Sequence, residues 1–415
     1  MSLETGAPQR TSLSVEEARR RILEAISPIP GWERLAIRAA LGRVLVEDVI
    51  APCNVPAHDN SAMDGYALCA EYPPIRTGDA VFEVIGSAFA GHGFTGIVKQ
   101  GQAVRIMTGG VMPAGADSVV MQERVRVDGG RIITSADIRP GQNVRRAGED
   151  LAEGAVAIPR GKLIGPAELG LLASLGLAEV CVARRLRVAF FSTGDELASI
   201  GSPLGPGEIY DSNRYTLHGA LTRLGCELLD MGAIPDRPEA LEVAFRNAAA
   251  AADVVLTTGG VSVGEADFIR ELMGQLGEVN FWKIDIKPGR PMAFGRIGNA
   301  WMFGLPGNPV AVMVTYYQFV MDALLKLSGL APLPQRPLVP VPCTTPIRKP
   351  VGRREYLRGQ MYVEDGAWKV RLTTSQGSGV LRSMSEANCF IVLDEERGDV
   401  APGDTVDVQL FDGLV

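Results

Sequence analysis

The amino-acid sequence predicts a multidomain protein of the α/β plus β class, on the evidence of its length and of its changing pattern. The chain has 415 residues, which at roughly 150 residues per domain corresponds to two to four domains. Strand and helix patterns alternate from Arg187 to Leu327, which is typical of a parallel α/β sheet. Residues 51–146 and the last 65 residues contain short β-like runs with glycine turns, which predict β-rich domains.

The charge balance and the residue counts argue against several classes of function. The chain carries 41 Lys and Arg against 48 Asp and Glu, a net charge of −7. This balance argues against a general binder of nucleic acid or anionic membranes and permits a local basic pocket. Three widely separated histidines argue against a multi-histidine metal centre. None of the six cysteines lies in a C-x-x-C pair, which argues against zinc-ribbon and thioredoxin-type sites and fits reduced thiols.

No segment predicts targeting or membrane insertion. The first 21 residues are polar and charged and contain no apolar signal region. The apolar stretch Val310–Leu325 is interrupted by Thr315, Gln318 and Asp322, so we expect a buried helix in place of a membrane span. The sequence therefore predicts a soluble, cytoplasmic protein.

Local signals place the first elements along the chain. Ser14 and Glu17 form a capping-box pattern that predicts a helix ending at Pro28, and a second amphipathic stretch covers Leu35–Leu45. In the following β-rich segment, strands are predicted at Val81–Ile85, Ala103–Ile106, Ser118–Met121 and Arg131–Ile133. Helical spacing returns in residues 151–180, with Pro166 at a helix start.

The α/β segment begins with a continuous apolar run at Val188–Ser192, which predicts a strand covered on both faces. Further strands are predicted at Cys226–Met231, Asp253–Thr258, Val279–Ile284, Pro291–Arg296 and Ala300–Gly304, and helices at Tyr215–Leu224, Pro238–Ala251, Ala266–Gln275 and Pro309–Leu327. The segment Leu330–Pro350 contains seven prolines and predicts a stiff linker or edge segment. The remaining residues predict a small β-barrel or sandwich.

The sharpest local signal is the glycine-rich segment Thr257–Asp267, where a strand runs into a turn and a helix. Main-chain N–H groups at such a turn can bind an anion, and ligands of open α/β sheets bind at this edge of the sheet. An ordinary tight turn explains the glycines equally well. The spacing matches neither the Walker A nor the G-x-G-x-x-G pattern.

Two further loops fall at corresponding strand ends. Leu305–Pro309 leads into the long helix, with Asn308 at the N-cap, and capping alone would explain Asn308. The loop Lys283–Pro291 places Lys283, Lys287 and Arg290 beside a proline-stiffened turn. These cations form either a solvated charged loop or a site for a doubly charged oxyanion.

Carboxylates also follow the predicted strands. Glu196, Asp236 and Asp267 at converging strand ends would hold Mg²⁺ next to a phosphate, although each alone is also a common helix cap or first-turn charge. The loop Pro56–Ala67 in the β-rich segment is densely polar, and turn chemistry explains part of it. His58 and Asp59 are adjacent in the chain, and the side chains of adjacent residues rarely face each other, so a catalytic dyad is not favoured.

Taken together, these loops resemble the molybdopterin molybdenumtransferases, a family that includes bacterial MoeA and the E domains of gephyrin and of plant Cnx proteins. The matching segments occur in family order along nearly the whole chain: Asp59–Ala67, Arg105–Gly109, Arg145–Asp150, Ser192–Leu197, Thr258–Gly264, Lys287–Pro291, Leu305–Pro309 and Gln376–Gly379.

The resemblance implies four domains and a homodimer. The domains would be a discontinuous helical linking domain (12–50 and 147–186), an inserted β-rich domain (51–146), a molybdopterin-binding α/β domain (187–328) and a C-terminal β-barrel (329–415). In such dimers the β domain of one subunit completes the site in the α/β domain of the other. The implied reaction takes molybdate and adenylylated molybdopterin as substrates, uses Mg²⁺ and releases AMP. Which helper proteins of molybdenum-cofactor synthesis the chain meets stays open.

The resemblance and the loop chemistry together divide the candidate site residues into two sets. The acidic, catalytic set comprises Asp59, Asp150, Glu196, Asp236 and Asp267, of which Glu196, Asp236 and Asp267 would bind the metal. The substrate-binding set comprises Thr108, Gly259, Gly260, Ser262, Lys283, Lys287, Arg290, Asn308, Arg358 and Ser378. Arg290 departs from the Lys found in many relatives, which preserves the charge and changes the geometry.

Two other functions stay open from the sequence. Molybdopterin adenylyltransferases have a related α/β domain, but their loop is of a Thr-Gly-Gly-Thr-Gly type, whereas Val261 and Ser262 follow the glycines here. A gephyrin-like scaffold without turnover would need a partner surface that the sequence does not reveal. The intact acidic set favours catalysis.

Overall fold

The computed structural model describes residues 12–70, 78–135, 137–260 and 266–411, with the backbone alone for residues 266–270. These residues form two compact units. The first unit comprises residues 1–33, 42–46 and 182–415, and the second comprises residues 34–41 and 47–181, each taken within the described ranges.

The described residues contain eight α-helices: α1 (Val15–Ala25), α2 (Pro166–Ser174), α3 (Ser212–Arg223), α4 (Pro238–Ala251), α5 (Ala266–Leu276), α6 (Pro309–Thr315), α7 (Met321–Leu327) and α8 (Arg382–Glu386). Short 3-10 turns cover Ile37–Ala39 and Gln122–Arg124. The amphipathic stretch Leu35–Leu45 therefore contains one 3-10 turn and no α-helix.

The strands of the described ranges are β1 (Trp32–Ala36), β2 (Val49–Ile50), β3 (Asn60–Ser61), β4 (Gly65–Leu68), β5 (Asp79–Ala88), β6 (Gln102–Ile106), β7 (Ser118–Met121), β8 (Arg126–Asp128), β9 (Arg131–Ser135), β10 (Val144–Arg145), β11 (Val156–Ile158), β12 (Glu179–Ala183), β13 (Arg187–Thr193), β14 (Leu197–Ala198), β15 (Ile209–Tyr210), β16 (Glu227–Ile234), β17 (Val254–Thr258), β18 (Gly277–Lys283), β19 (Ile286–Lys287), β20 (Pro291–Ile297), β21 (Ala300–Leu305), β22 (Val339–Pro342), β23 (Arg354–Glu364), β24 (Ala367–Leu372), β25 (Cys389–Leu393) and β26 (Thr405–Leu410).

The helix starts follow the predicted caps. Ser14 Oγ accepts the N–H of Glu17 at 3.1 Å and begins α1. The Glu17 carboxylate, however, pairs with Arg20 and Arg21 on the exposed face of the helix. The capping box is therefore half formed, because side chains one turn further along compete for the carboxylate.

The second unit is built on a six-stranded sheet with the order β7-β4-β6-β5-β9-β8. All four strands predicted in this segment are present. Alternate residues such as Phe82, Val104 and Ile132 are buried between the sheet and its loops. The inserted segment is therefore β-rich, as the sequence predicts.

The first unit contains a second six-stranded sheet, with the order β16-β13-β17-β21-β20-β18. Its first four strands are parallel, as expected from the alternation of strands and helices. β20 is antiparallel to both neighbours because a short hairpin at Gly298–Asn299 joins it to β21. The sheet is therefore mixed, which corrects the expectation of a parallel one.

The register of this sheet brings three loops to one edge. Ser192 is opposite Thr258, and Thr258 is opposite Leu305, near the carboxyl ends of β13, β17 and β21. The loops that follow these strands therefore leave the sheet side by side.

The apolar stretch after β21 is a buried helical segment. It runs from α6 through a π-helical turn at Tyr316–Val320 into α7. Of the described helices, this one is long and apolar enough to cross a membrane by length and composition alone, and 83% of its most apolar window is buried within the protein. Val310, Phe319 and Leu324 pack in the main core of the unit.

The C-terminal part of the first unit is a small barrel. Its strands follow the order β19-β23-β25-β26-β22, and β24 pairs with the other side of β23. The Thr344 N–H donates to the Val370 carbonyl oxygen at 2.8 Å, which joins the chain after β22 to β24 and closes the ring. Val341, Ile391 and Val408 fill its interior. The observed architecture is therefore multidomain α/β plus β.

Candidate functional site

One cavity of about 710 Å³ lies within the first unit. Its first wall is formed by the loops after β13, β16, β17 and β21, and its second by β19, the start of β23 and the loop after β24. Eight of the predicted site residues line it: Glu196, Asp236, Gly259, Gly260, Lys287, Asn308, Arg358 and Ser378. The fold therefore brings together residues that are up to 182 positions apart in the sequence.

Close packing of backbone requires glycine at the first wall. Gly259 has φ +89°, and a Cβ built there would lie 2.5 Å from the carbonyl oxygen of Thr193. A Cβ on Gly307 would lie 3.8 Å from the Gly259 Cα, so the loops after β17 and β21 are in contact. The glycines thus allow three loops to meet with their main chains exposed to the cavity.

A buried chain of hydrogen bonds fixes the strand ends below these loops. Thr258 Oγ1 donates to Ser192 Oγ at 3.0 Å, and Ser192 Oγ donates to Asp211 Oδ1 at 3.0 Å. Asp211 is the N-cap of α3 and also accepts the N–H of Arg214. From the first turn of the same helix, Asn213 Nδ2 donates to the Gly307 carbonyl oxygen at 2.7 Å. Helix α3 therefore supports all three loops.

Two carboxylates face the cavity from the first wall. Glu196 follows β13, and Asp236 follows β16, where its N–H donates to Asp195 Oδ1 at 3.1 Å. Within the part of the chain that the structure describes, no group of three or more metal-binding side chains is found. The other two predicted residues of this region, Ser262 and the side chain of Asp267, lie outside the described residues.

Three cations face the cavity from the second wall, namely Lys287, Arg353 and Arg358. Lys287 lies opposite Glu355 in the pairing of β19 with β23, and Lys287 Nζ lies 3.0 Å from Glu355 Oε1. Glu355 is only 2% exposed, whereas the Lys287 side chain is 47% exposed. The buried carboxylate therefore holds the lysine at the cavity surface.

Arg358 is buried without a carboxylate partner among the described residues. It is 1% exposed, its Nε donates to Ser383 Oγ at 3.1 Å, and its Nη2 donates to the Gly377 carbonyl oxygen at 3.1 Å. Burial lowers the pKa of the guanidinium to about 10, so it still carries its charge at neutral pH. A buried cation that lines a cavity and is bonded to neutral groups favours an anionic ligand.

Asn308 and Ser378 complete the polar lining. Asn308 occupies the N-cap position of α6, but its side chain makes no capping hydrogen bond. The predicted N-cap position of Asn308 is therefore confirmed, but capping alone does not explain its side chain, and Asn308 lines the cavity. The Val310 N–H donates to the Ser378 carbonyl oxygen at 3.0 Å, which joins the loop after β24 to the start of α6.

Two of the predicted cations do not line this cavity. Lys283 ends β18 opposite Pro291, and Arg290 precedes β20; both are exposed. Between them the chain leaves the α/β sheet and pairs through Lys287 with the barrel. Because that change of sheet directs only the middle residue of the loop into the cavity, the three cations are separated.

The remaining predicted residues lie in the second unit, where they form a polar loop cluster. The Asp59 carboxylate accepts the Ala147 N–H at 2.8 Å and Arg146 Nη1 at 2.6 Å. These two hydrogen bonds, the one from Ala147 first, hold the pKa of Asp59 below its usual range. The Gly148 N–H donates to Pro56, so the segments around 59 and 147 run together. Asp59 is therefore ionised and bound in place.

Thr108 and Asp150 belong to the same cluster. The Thr108 N–H and Oγ1 both donate to Asp64 Oδ1 at 2.8 Å, and these bonds lower the pKa of Asp64. The Gly109 N–H donates to the Ser61 carbonyl oxygen, which brings this loop beside the Asp59 segment. Asp150 is exposed, and its N–H donates to Val55.

Three polar side chains that line the cavity, those of Thr193, Arg353 and Gln376, are absent from the residues predicted for the site. Arg353 directly precedes an alternating strand, and Gln376 opens one of the matching motifs, so both lie next to usable signals. The positions of Arg353 and Gln376 depend on barrel closure, which local pattern does not reveal, whereas Thr193 ends β13 in the α/β sheet.

Comparison with known proteins gives consistent matches along the whole chain. Residues 13–176 match the model of the MoeA N-terminal region (domains I and II), residues 189–326 that of a probable molybdopterin binding domain, and residues 340–411 that of the MoeA C-terminal region (domain IV). A molybdopterin molybdenumtransferase of Haemophilus influenzae is 44% identical over 409 residues, which cover 97% of this chain and 100% of the relative.

Two further relatives extend the comparison. Gephyrin of Dictyostelium discoideum is 31% identical over 444 residues, which cover 94% of this chain and 61% of gephyrin. The crystal structure of a molybdopterin biosynthesis MoeA protein from Pyrococcus horikoshii OT3 is 29% identical in sequence, with a TM-score of 0.82, and the match covers 96% of this chain and 100% of that one.

Proposed function

The chain belongs to the family of molybdopterin molybdenumtransferases, and we propose that it inserts molybdate into adenylylated molybdopterin and releases AMP. The observation that carries this proposal is one cavity whose lining contains both carboxylates and cations. The reaction joins a dianion to a substrate with a pyrophosphate bond, so it needs groups that bind anions and groups that position a divalent cation.

The second wall supplies the molybdate site in this proposal. Arg358 offers a fixed charge from a dry environment, Lys287 adds a second charge at the cavity surface, and Ser378 adds a hydroxyl. Arginine and lysine differ here, because the planar guanidinium orients an oxyanion while the ammonium acts as a point charge. Together they would bind a tetrahedral dianion in one orientation.

The first wall supplies the site for the phosphates of the nucleotide-linked substrate. Gly259, Gly260 and Gly307 bring main chain to the cavity, and only Gly allows the approach of Gly259 to Thr193. The Asn308 amide, which makes no capping bond, lies beside them. Main-chain dipoles of this kind bind phosphate oxygens without a charged side chain.

Glu196 and Asp236 fit the needs of Mg²⁺ in this site. Mg²⁺ is commonly bound by one or two protein carboxylates together with substrate phosphates and water, so a three-carboxylate group is not required. Glu196 and Asp236 both line the cavity on the wall that carries the glycine loops. When bound, the ion would neutralise charge that develops on the pyrophosphate. Asp267, as the third predicted ligand, would add to this pair.

We further propose that the protein acts as a homodimer in which the polar loop cluster of one chain, with Asp59, Thr108 and Asp150, serves the cavity of the other. The support is the resemblance of the whole chain to this family and the chemistry of the cluster. Asp59 is held ionised by Arg146 and Ala147, so it suits electrostatic or metal-binding work and not proton donation.

The direct test is to incubate the purified protein with adenylylated molybdopterin, molybdate and Mg²⁺, and to measure AMP and metallated cofactor. Both products are expected, and Asp236→Asn should reduce both without a large fall in melting temperature, because Asp236 lies on an exposed loop. Absence of both products with the wild-type protein, under conditions where the Haemophilus relative is active, would refute the proposal.

The same preparation separates the two other functions. An adenylyltransferase would convert molybdopterin and ATP into the adenylylated substrate, which we expect not to occur here. A scaffold without turnover would release no AMP in any mixture. Product formation only from the adenylylated substrate would therefore leave molybdate insertion as the function.

The dimer proposal has its own test. Chains with Asp59→Asn and chains with Asp236→Asn are expected to be inactive alone, whereas a mixed dimer regains one intact site and about half the wild-type rate per dimer. Mixed dimers that stay inactive, although isolated through two different affinity tags, would contradict a site shared between subunits.

A further inference from the structure

Gln376 makes an unusual contact with the main chain of Arg358. Its Oε1 accepts the Arg358 N–H at 2.9 Å, and its Nε2 donates to the Arg358 carbonyl oxygen at 2.9 Å. The same Nε2 also lies 2.9 Å from Thr373 Oγ1. One side-chain amide thus bonds to both the N–H and the carbonyl oxygen of Arg358, as a residue of a neighbouring strand would.

This contact lies at the point where the strand ladder ends. The pairing of β23 with β24 runs to Gly359 opposite Leu372, and the Thr373 N–H continues it to the Arg358 carbonyl oxygen at 3.0 Å. The chain then turns away, and the Gln376 side chain returns to the open edge beside Arg358. Without Gln376, this edge of Arg358 would lose the acceptor for its N–H.

The contact also couples two residues that line the cavity, Arg358 and Ser378. Gln376 begins the loop that carries Gly377 and Ser378, and the Gly377 carbonyl oxygen accepts Arg358 Nη2. Gln376 therefore holds the Arg358 main chain while its own loop holds the Arg358 guanidinium. Both ends of the arginine and the loop that carries Ser378 are fixed relative to each other through one residue.

We propose that Gln376 is a positioning residue for anion binding: it acts through Arg358 and Ser378 and sets the geometry of the site for the tetrahedral dianion. This inference rests on the proposed function, because it assigns the dianion to the same cavity. Ordering of the arginine before the anion arrives removes an entropy cost from binding, so the effect should appear in anion affinity more than in turnover at saturation.

The same strand offers a matched control. Asn388 Oδ1 accepts the Met361 N–H at 2.8 Å, and Asn388 Nδ2 donates to the Met361 carbonyl oxygen at 2.8 Å. Met361 lies three residues beyond Arg358 on β23, and neither Met361 nor Asn388 lines the cavity. Both amides therefore hold the main chain of β23 in the same way, but Gln376 holds a residue that lines the cavity and Asn388 does not.

The experiment compares Gln376→Ala, Gln376→Met and Asn388→Ala in the full-length protein. Molybdate alone is titrated into each by calorimetry, and the KM for molybdate, kcat and melting temperature are measured in parallel. We expect both Gln376 variants to raise the Kd and KM for molybdate about tenfold or more with a smaller change in kcat, since two hydrogen bonds that order the site are lost. Asn388→Ala should lower the melting temperature comparably and change the Kd less than twofold.

The outcomes separate the positioning role from a structural one. Equal changes in Kd for the Gln376 and Asn388 variants, or an unchanged Kd for both Gln376 variants, would overturn the proposal. The Met variant preserves side-chain volume and keeps the test valid should the Ala variant fold poorly. Failure of the wild-type protein to release AMP would count against the proposed function, whereas the comparison of molybdate Kd values would still decide the role of Gln376.

Discussion

Replacement of Gly259 by alanine should be among the most damaging single changes at the first cavity wall. Two separate penalties add at this position. The residue has φ +89°, a region that costs an L-residue about 1–2 kcal/mol. The new Cβ would also lie 2.5 Å from the Thr193 carbonyl oxygen and 2.9 Å from Thr193 Oγ1, so backbone must move, at a further cost of about 1–3 kcal/mol.

Gly232 provides the control for the first penalty. It has φ +82°, lies in the same sheet on β16, and a Cβ built there meets nothing within 4 Å. Gly232→Ala should therefore lower the free energy of unfolding by about 1–2 kcal/mol, and Gly259→Ala by about 2–5 kcal/mol. Because Gly259 also contacts the Gly307 loop, Gly259→Ala alone should reduce AMP release.

Trp282 and Trp301 both lie in this sheet, so urea titration followed by tryptophan fluorescence measures the two unfolding free energies. The AMP assay is run on the same samples below the unfolding transition. If Gly259→Ala is no less stable than Gly232→Ala and turns over normally, the close packing of the three loops does not constrain the site.

Three more predictions concern charge. Arg358→Met should abolish molybdate binding while the unfolding free energy stays level or rises by about 1–2 kcal/mol, because a buried cation bonded to neutral groups is removed. A large loss of stability would show that the guanidinium is structural. Lys287→Met should cost about 2 kcal/mol, because the buried Glu355 carboxylate loses its hydrogen-bonded partner. Adding Glu355→Gln should restore stability without restoring molybdate affinity, as measured by urea titration and calorimetry. Asp59→Asn should reduce the free energy of unfolding slightly at pH 7, by less than about 1 kcal/mol. Since the folded-state pKa of Asp59 is lowered, this difference should be complete above the ordinary pKa of about 4 and shrink as the pH falls below it. A difference that persists at pH 2 would contradict the ion pair.

The first wall of the site was accessible to sequence reasoning. Continuous apolar runs identify β13, β17 and β21 as strands of an inner sheet, and the residues after each run must then lie at one edge. Glycine at 259 and carboxylates at 196 and 236 could be assigned to the same place on that ground alone. The sequence pattern is sufficient for these residues because parallel pairing places the residues after each strand at the same edge of the sheet.

The second wall was not accessible in the same way. Lys283 and Lys287 look equivalent in the sequence, yet only Lys287 pairs with the barrel, through Glu355, which is 68 residues away. Arg358 lies in a strand whose pattern does not show that its charge is buried, and resemblance to the family was needed to single it out. Gln376 acts through a contact at the end of a ladder, which depends on where β24 stops.

Arg358 is buried with no carboxylate partner in the described part of the chain, and this has a consequence for how the protein discriminates among anions. The cavity contributes charge and a fixed set of donors, and sulfate matches molybdate in charge and in tetrahedral shape. Discrimination must therefore come from the size of the anion and the spacing of its oxygens, which charge alone does not sense. Sulfate should compete with molybdate in calorimetric titrations, so that the same protein will show weaker molybdate binding in sulfate buffers than in chloride of equal ionic strength.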